Sequence, residues 1–459
     1  MKLNIFPLFG IATLASGLFV PSAGQQGGDD FQNAFGVART VSSNGPIDTT
    51  GPFFQSLGTN GRSCNTCHIE NQNWGISAED VQRRFERSQG MDPIFRTVDG
   101  SNSPNSAVRT LQQRRSAYSM LLNKGVIRIE RPIPAGAEFS LVSVDDPYGY
   151  ASAAGLSLFR RPLPTTNLGV ISTVMWDGRE VNPANPMKIA NSPFVNRAIL
   201  EASLAHQALD ATSLHAQGSV PLTDEQQNGI VEFELGLASA QVRDNDAGWL
   251  NNSAALGGPE NILTFPFYIG INDNVADPQG PFNAASMTLY QRWSDSRDFD
   301  RASVARGEAV FNSKPIVITG VKGLNNNPYF GSPTTLTGTC TTCHNTPQMG
   351  NHSLAIALDI GLTDKSRRTP DMPLYTLRNR TTGEEIKTTD PGLALSTGKW
   401  SDIARFKGPV LRGLAARAPY FHNGSAKDFD AVLDFYSHRF GVVFTKRERS
   451  DLISFLKTL

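Results

Sequence analysis

Cys64-Asn65-Thr66-Cys67-His68 recurs in pattern as Cys340-Thr341-Thr342-Cys343-His344, and the two stretches use all four cysteines of the 459-residue chain. C-x-x-C-H is the spacing at which c-type haem is attached. Each thiol adds to a haem vinyl group, and the adjoining imidazole is set beneath the iron as its proximal ligand. Other uses of paired cysteines fit less well. A Cys₄ zinc site or a thioredoxin-like dithiol gives no reason for a histidine after each pair, and a compact zinc ribbon brings its pairs far closer in sequence. Two covalently held haem c groups and no spare thiol predict a redox protein.

Outward from the first motif, residues 1–24 read as a secretory signal peptide. Lys2 gives a short positive region, and Ile5 to Val20 an apolar stretch too short and interrupted to span a bilayer securely. Pro21-Ser22-Ala23-Gly24 then supplies small residues for cleavage. No stop-transfer pattern follows, so no stable membrane insertion is expected. Export to the periplasm suits the cysteines, because bare C-x-x-C pairs in an oxidising compartment form disulfides unless haem captures them. With 42 basic and 42 acidic residues the formal charge is zero, and no basic run exceeds two residues, which argues against nucleic acid and anionic membranes as partners. Charged residues make up only 18%, against 41 Gly and 28 Pro, as in a loop-rich globular chain that wraps large cofactors. The length allows two or three domains.

The coarse organisation follows from periodicity and caps. Residues 25–60 are Gly/Ser/Asn/Thr-rich and are expected to lie extended on the surface. Ser77 caps a short helix carrying Val81 and Phe85. Val126–Glu130 and Glu138–Val142 flank Pro132-Ile133-Pro134-Ala135-Gly136, which suggests a β-hairpin or β-arm. Thr223-x-x-Gln226 is a capping box opening a helix with Ile230, Phe233 and Leu237 on one face. After an irregular stretch around 257–281, Ser303–Phe311 reads as a helix ahead of the second motif. Ser425 with Asp428 opens a helix bearing Phe429, Val432, Leu433, Tyr436 and Phe440, and Thr445-x-x-Glu448 caps a last one. The expected fold is mainly α, with two cytochrome c-like haem domains. Residues 25–295 form the first, enlarged and carrying the hairpin or arm, and 296–459 form the second.

Further segments bring a family into view. Met175-Trp176-Asp177-Gly178-Arg179 matches a Trp-Asp-Gly-Arg segment, and Pro409-Val410-Leu411-Arg412 with Ala418-Pro419-Tyr420-Phe421-His422-Asn423-Gly424-Ser425 matches a P-x-L-R … A-P-Y-F-H-D-G-S signature. In this order, from about residue 55 to 459, they resemble the bacterial di-haem cytochrome c peroxidase family, which includes the methylamine dehydrogenase maturation enzyme MauG. The segment between the haem motifs is much longer here than in the short peroxidases.

The resemblance implies a division of labour. The haem of Cys64, Cys67 and His68 would be peroxidatic, that of Cys340, Cys343 and His344 would pass it electrons, and Trp176 would relay holes between them. Hydrogen peroxide would be the substrate and a small cytochrome c or cupredoxin the electron donor. No histidine stands between His68 and His206, where short peroxidases place a removable ligand, so the first iron is expected to be open; Met91 and Met120 are the alternative sixth ligands. Where the family carries its distal glutamate, this chain has Gln207-Ala208 and then His215-Ala216-Gln217. His215, Gln217 and Glu201 are the acid–base or orienting candidates. Tyr436 falls where the second haem takes its distal ligand, with His438, His422, His352 and Met349 as rivals. The family's calcium ion would fall to Asn167 and the carbonyls of Arg417 and Pro419. Two alternatives stand beside the peroxidase: a MauG-like enzyme oxidising a protein or organic substrate, and a non-catalytic di-haem electron-transfer cytochrome.

Overall fold

Thr445 and Glu448 close the expected capping box, and the helix they start, Lys446–Leu456, buries Leu452, Phe455 and Leu456. This face crosses the helix Phe299–Ser313, which Asp298 caps by accepting from the backbone of Asp300 and Arg301. Gly307 lies at the crossing, where a Cβ would stand 1.9 Å from the carbonyl oxygen of Asp451. The absent side chain therefore sets how closely the two helices approach. Ser303 and Arg306 then hold the Asp451 carboxylate at 2.7 and 2.8 Å. Met287, Tyr290, Trp293, Tyr420 and the helix Phe429–Phe440 complete this core, against which Cys340 packs.

The computed structural model describes residues 30–180, 197–273, 277 and 279–459; the expected signal peptide lies outside the described residues. In the first half, Ser77 caps the helix Ala78–Ser88, whose Val81 and Phe85 pack with Ile94, Phe95, Tyr118 and Leu121 beside Cys67. Thr223 caps the helix Asp224–Gly236. That helix meets the helix Arg197–Leu214, and the two flank the first C-x-x-C-H turn.

The strands are β1 (Asp30–Asn33), β2 (Gly36–Ser42), β3 (Ile127–Arg131), β4 (Phe139–Asp145), β5 (Leu156–Arg160), β6 (Leu237–Asp244), β7 (Gly248–Trp249), β8 (Ile316–Thr319), β9 (Thr335–Gly338), β10 (Leu374–Asn379) and β11 (Glu385–Thr388). Among the described residues they form four antiparallel sheets, ordered β1-β2-β6-β7, β11-β10-β4, β3-β5 and β8-β9.

The expectation of a mainly α fold is overturned: 33% of the chain is helical and 17% lies in these four sheets. The strands are short, and several are buried on both faces, so the alternation that betrays a half-exposed strand is missing. In β6 seven of eight residues are buried, and Thr40 of β2 pairs with Ser239 through their hydroxyls at 2.8 Å. Leu237 begins β6 rather than ending the preceding helix. Residues 36–42, expected on the surface, form a largely buried strand of the same sheet. Nor do β3 and β4 make a hairpin. β3 pairs with β5, in the register Ile127↔Arg160, while β4 crosses to β10 in the register Asp145↔Leu374. The cap of the helix Phe429–Phe440 is Asp428 alone, which accepts from Ala431.

Below Trp176 the two halves are joined by charge. Arg160 donates to Asp177 at 2.6 Å and to both oxygens of Asp390 at 2.7 and 2.9 Å, and all three side chains are sealed from water. Arg179 and Arg131 approach the same Asp177 at 3.0 and 3.4 Å. Burial alone would raise the Asp177 carboxyl, but Arg160, Arg179 and Arg131 hold it well below the ordinary carboxylate range.

Gly307→Ala should destabilise the protein by about 1–3 kcal/mol through overpacking at the helix crossing. Gly280→Ala, where a Cβ meets no neighbour among the described residues, should be close to neutral. Thermal melts of both variants check this, and equal melting temperatures would show that the crossing does not depend on the glycine.

Candidate functional site

Both C-x-x-C-H stretches fold alike. Cys64–Thr66 and Cys340–Thr342 each make one 3₁₀ turn. The hydroxyl of Thr66 or Thr342 accepts the backbone N–H of the residue before the first cysteine, Ser63 at 3.1 Å or Thr339 at 3.0 Å. His68 and His344 then donate their backbone N–H to the carbonyls of Cys64 and Cys340, both at 3.1 Å. The signal for this turn is visible in both motifs: a hydroxyl residue before the first cysteine and a threonine before the second.

Each imidazole is fixed through Nδ1, that of His68 at 3.2 Å from the Trp74 carbonyl and that of His344 at 2.5 Å from the Gly350 carbonyl. A carbonyl only accepts, so Nδ1 carries the proton in both rings and Nε2 keeps its lone pair for a metal. Burial, with a smaller push from His215, lowers His68 to about 4, and burial moves His344 the same way. Both rings are neutral donors. Burial also pushes the thiols of Cys64 and Cys340 up to about 12.

Each motif opens on a mostly apolar cavity. The one beside Cys64, Cys67 and His68 has about 1500 Å³ of free space, counting the solvent at its mouth, and the one beside Cys340, Cys343 and His344 about 1800 Å³. Trp176, Arg161, Lys407 and Pro162-Leu163-Pro164 line both, so the two cavities share a wall. Within that wall Lys407 Nζ reaches the Thr173 carbonyl at 2.9 Å, and Arg161 reaches the carbonyls of Ile76, Arg417 and Lys124 at 2.5, 2.8 and 3.1 Å. Among the described residues neither cation meets a carboxylate. Burial lowers Lys407 to about 7, and burial together with Arg417 lowers Arg161 to about 9. Buried cations without anions are costly. Haem fits such a site: a flat apolar macrocycle fills the space, and its two propionates supply the missing negative charge.

Trp176 donates its indole N–H to the Arg161 carbonyl at 2.7 Å. Its ring stands edge-on to His422 at 6.1 Å, and His422 stacks on Phe406 at 4.1 Å.

In the first cavity His215 Nδ1 lies 2.6 Å from Asp99 Oδ2, whose other oxygen accepts from Arg62 at 2.6 Å. Burial would raise Asp99, but Arg62 and His215 hold it below the usual carboxylate range. The ionised carboxylate keeps the proton on His215 Nδ1, leaving Nε2 as the free nitrogen of a side chain that lines the cavity. Gln207 lines it as well. Glu201 and Gln217 do not; both are exposed, and Gln217 accepts from Asn60 at 3.2 Å. Met91 is exposed, Met120 packs with Val126, Phe159 and Met372, and neither reaches the cavity.

One acid in this cavity escaped the sequence reading. Glu234 lies one turn after Ile230 on the buried side of its helix and lines the cavity, and its Oε2 has no hydrogen bond among the described residues. Burial raises it to about 8, so it is a neutral acid at pH 7. A lone glutamate on an apolar stripe was the available signal. Asp99 and Arg62 gave none, because only tertiary structure brings them to His215.

In the second cavity Tyr436 lines the space, its phenol pushed well above the ordinary value by burial and by Cys340 and Cys343. His422 lines it too, and among the described residues neither ring nitrogen has a hydrogen-bond partner. Met349 and His352 are buried elsewhere and His438 is exposed.

The expected calcium ligands are otherwise engaged. The Asn167 amide exchanges two hydrogen bonds with the backbone of Ser239, both 2.9 Å, and the Arg417 carbonyl accepts from Arg161. Pro419 lines the second cavity. Calcium needs six to eight oxygens, usually with carboxylates among them. These residues do not fit the ion.

No family model matches the chain. Over 140 residues it is 29% identical to the cytochrome-c peroxidase IdrP1 of Pseudomonas sp. (strain SCT), a match covering 26% of this chain and 36% of that protein. It is 27% identical over 140 residues to IdrP1 of Denitromonas iodatirespirans, with the same coverage. To the cytochrome-c peroxidase IdrP2 of that organism it is 28% identical over 133 residues, covering 27% of this chain and 36% of the other. The chain thus spans about a third of the length of these curated relatives. A crystal structure of a MauG-like protein associated with microbial copper homeostasis aligns with a TM-score of 0.30 at 16% identity, over 82% of this chain and 89% of that one. The resemblance carried by the motifs is borne out: over about a quarter of its length the chain is similar to cytochrome-c peroxidases.

Proposed function

We propose that the chain is a periplasmic di-haem c-type peroxidase, reducing hydrogen peroxide at the His68 cavity with electrons received at the His344 cavity from a small cytochrome c or cupredoxin. The observation that carries this reading is the shared wall: two cavities, each with a C-x-x-C-H histidine, meet at Trp176. When bound, the haems would supply two redox-active irons, held through His68 and His344, and the first would react with peroxide. The reaction consumes two electrons and two protons per peroxide and yields two waters.

The chain's own residues manage the protons and the wire. His215 Nε2 takes a proton from one peroxide oxygen and returns it to the other, while Asp99 holds Nδ1–H and stabilises the imidazolium. Arg62 keeps Asp99 ionised throughout. Glu234 is a second buried proton store in the same cavity. Trp176 has an easily oxidised ring, and its N–H rests on a carbonyl that cannot take the proton, so charge crosses the wall without proton loss. Lys407 and Arg161 bind the propionates and exclude water from the wall. The presence of Tyr436 in the second cavity favours a second reading, a MauG-like enzyme that oxidises a protein or organic substrate.

Intact-mass analysis of the protein should show two haem increments that survive acid–acetone extraction, and Cys64→Ala or Cys340→Ala should each lose one. Bound zinc with free thiols would retire the haem assignment.

His215→Ala should slow the reaction with peroxide by about 10²–10⁴-fold, the usual worth of a positioned acid–base group, with both haem spectra retained. Asp99→Asn should act in the same direction by disturbing the His215 tautomer. If the wild type shows two low-spin irons and no reaction with peroxide, the electron-transfer cytochrome is the correct reading.

Trp176→Phe should slow oxidation of the His344 haem after peroxide is added, leaving both spectra and most of the stability in place. A packing role gives the opposite outcome, a loss of about 1–3 kcal/mol with normal transfer. Stopped-flow spectra and a thermal melt separate the two.

A further inference from the structure

The wall between the cavities brings together segments that no strand or helix joins. Ile76 and Arg417 are buried there, and a buried carbonyl needs a hydrogen-bond donor. One side chain serves three of them. Arg161 Nη2 donates to the carbonyls of Ile76 and Arg417 at 2.5 and 2.8 Å, and Nη1 to that of Lys124 at 3.1 Å. The place for it is built. Gly125 has a φ of +59°, and a Cβ added there would stand 2.5 Å from Nη1, so the fork occupies room that only a glycine leaves. The main chain of the same residue ties two further elements: its N–H donates to the His422 carbonyl at 2.6 Å, and its carbonyl accepts from Trp176 at 2.7 Å.

A divalent cation finds no berth here. The Arg417 carbonyl is already taken, and the Asn167 amide is spent on Ser239. Arg417 brings a second buried guanidinium, which donates to the carbonyls of Gly413, Val410 and Arg412 at 2.7, 3.1 and 3.1 Å. Two positive side chains and, among the described residues, no carboxylate facing them repel Ca²⁺ rather than bind it.

We propose that the Arg161 guanidinium is a fixed internal cation that takes the place of the calcium ion in the resembled family, so that this chain closes the wall between its cavities without a divalent metal. The inference concerns the wall and not the reaction, but it shares Arg161 with the proposed function, in which the same side chain also faces a haem propionate.

The holoprotein, produced in calcium-replete medium, should carry iron but no stoichiometric calcium by elemental analysis. Its melting temperature and haem spectra should be the same in EGTA as in calcium chloride. Calcium at one per chain, removed by EGTA together with thermal stability, would overturn the proposal. Arg161→Gln should melt clearly below the wild type in either buffer; a variant as stable as the wild type would also overturn it. If the glutamine variant does not fold, Arg161→Lys keeps the charge and loses the fork. It should melt below the wild type and stay insensitive to calcium, and stabilisation of it by calcium would count against the proposal. Iron and calcium are measured separately, so failure of the haem assignment is distinct from failure of this one.

Discussion

Asp177 and Asp390 hold Arg160 between them with almost no water at any of the three side chains, and the wall between the cavities rests on that arrangement. Arg160 ends β5, Asp390 follows β11, and Asp177 adjoins Trp176, so one guanidinium fixes three remote pieces of chain. Removing a single partner from such a buried pair leaves an uncompensated charge and costs about 3–5 kcal/mol. The bonds are directional as well as strong, since Arg160 grips Asp390 through two nitrogens. Trp176 inherits its position from this geometry and from the Arg161 carbonyl.

The two cavities are built from the same turn but differ in chemistry. The first holds the Arg62–Asp99–His215 chain and the neutral Glu234, of which His215 and Glu234 are able to hold or move protons. The second holds Tyr436 and His422, with Phe311, Phe421 and Phe440 around them. Proton-handling groups are useful where bonds to oxygen break, and an apolar surround with one or two donor atoms suits electron storage. That contrast supports assigning peroxide to the first cavity.

The paired C-x-x-C-H turns were legible because their residues are contiguous: five positions carry the whole signal. Helix starts at Ser77, Thr223 and Thr445 were legible for the same reason, since a cap spans only four residues. The fold class was not. β6 has no alternation to read, because both of its faces are buried. β4 looks like half of a hairpin until β10, far along the chain, takes its place beside it. The partners of His215 were equally hidden. His215 itself stood out as one of only seven histidines, whereas Asp99 and Arg62 are ordinary loop residues until the fold brings them to it.

The pairing of β4 with β10 also has a bearing on biogenesis. During synthesis β4 emerges long before its partner, which follows even the second C-x-x-C-H motif. Its edge stays open in that interval, and the three-stranded sheet stays incomplete. Non-local pairing of this kind forms late. On the proposed function, Cys64 and Cys67 would then meet their haem on an unclosed chain, where a rigid macrocycle can still enter from the side. Closure waits for the C-terminal half, so the order of the gene favours loading first and sealing afterwards.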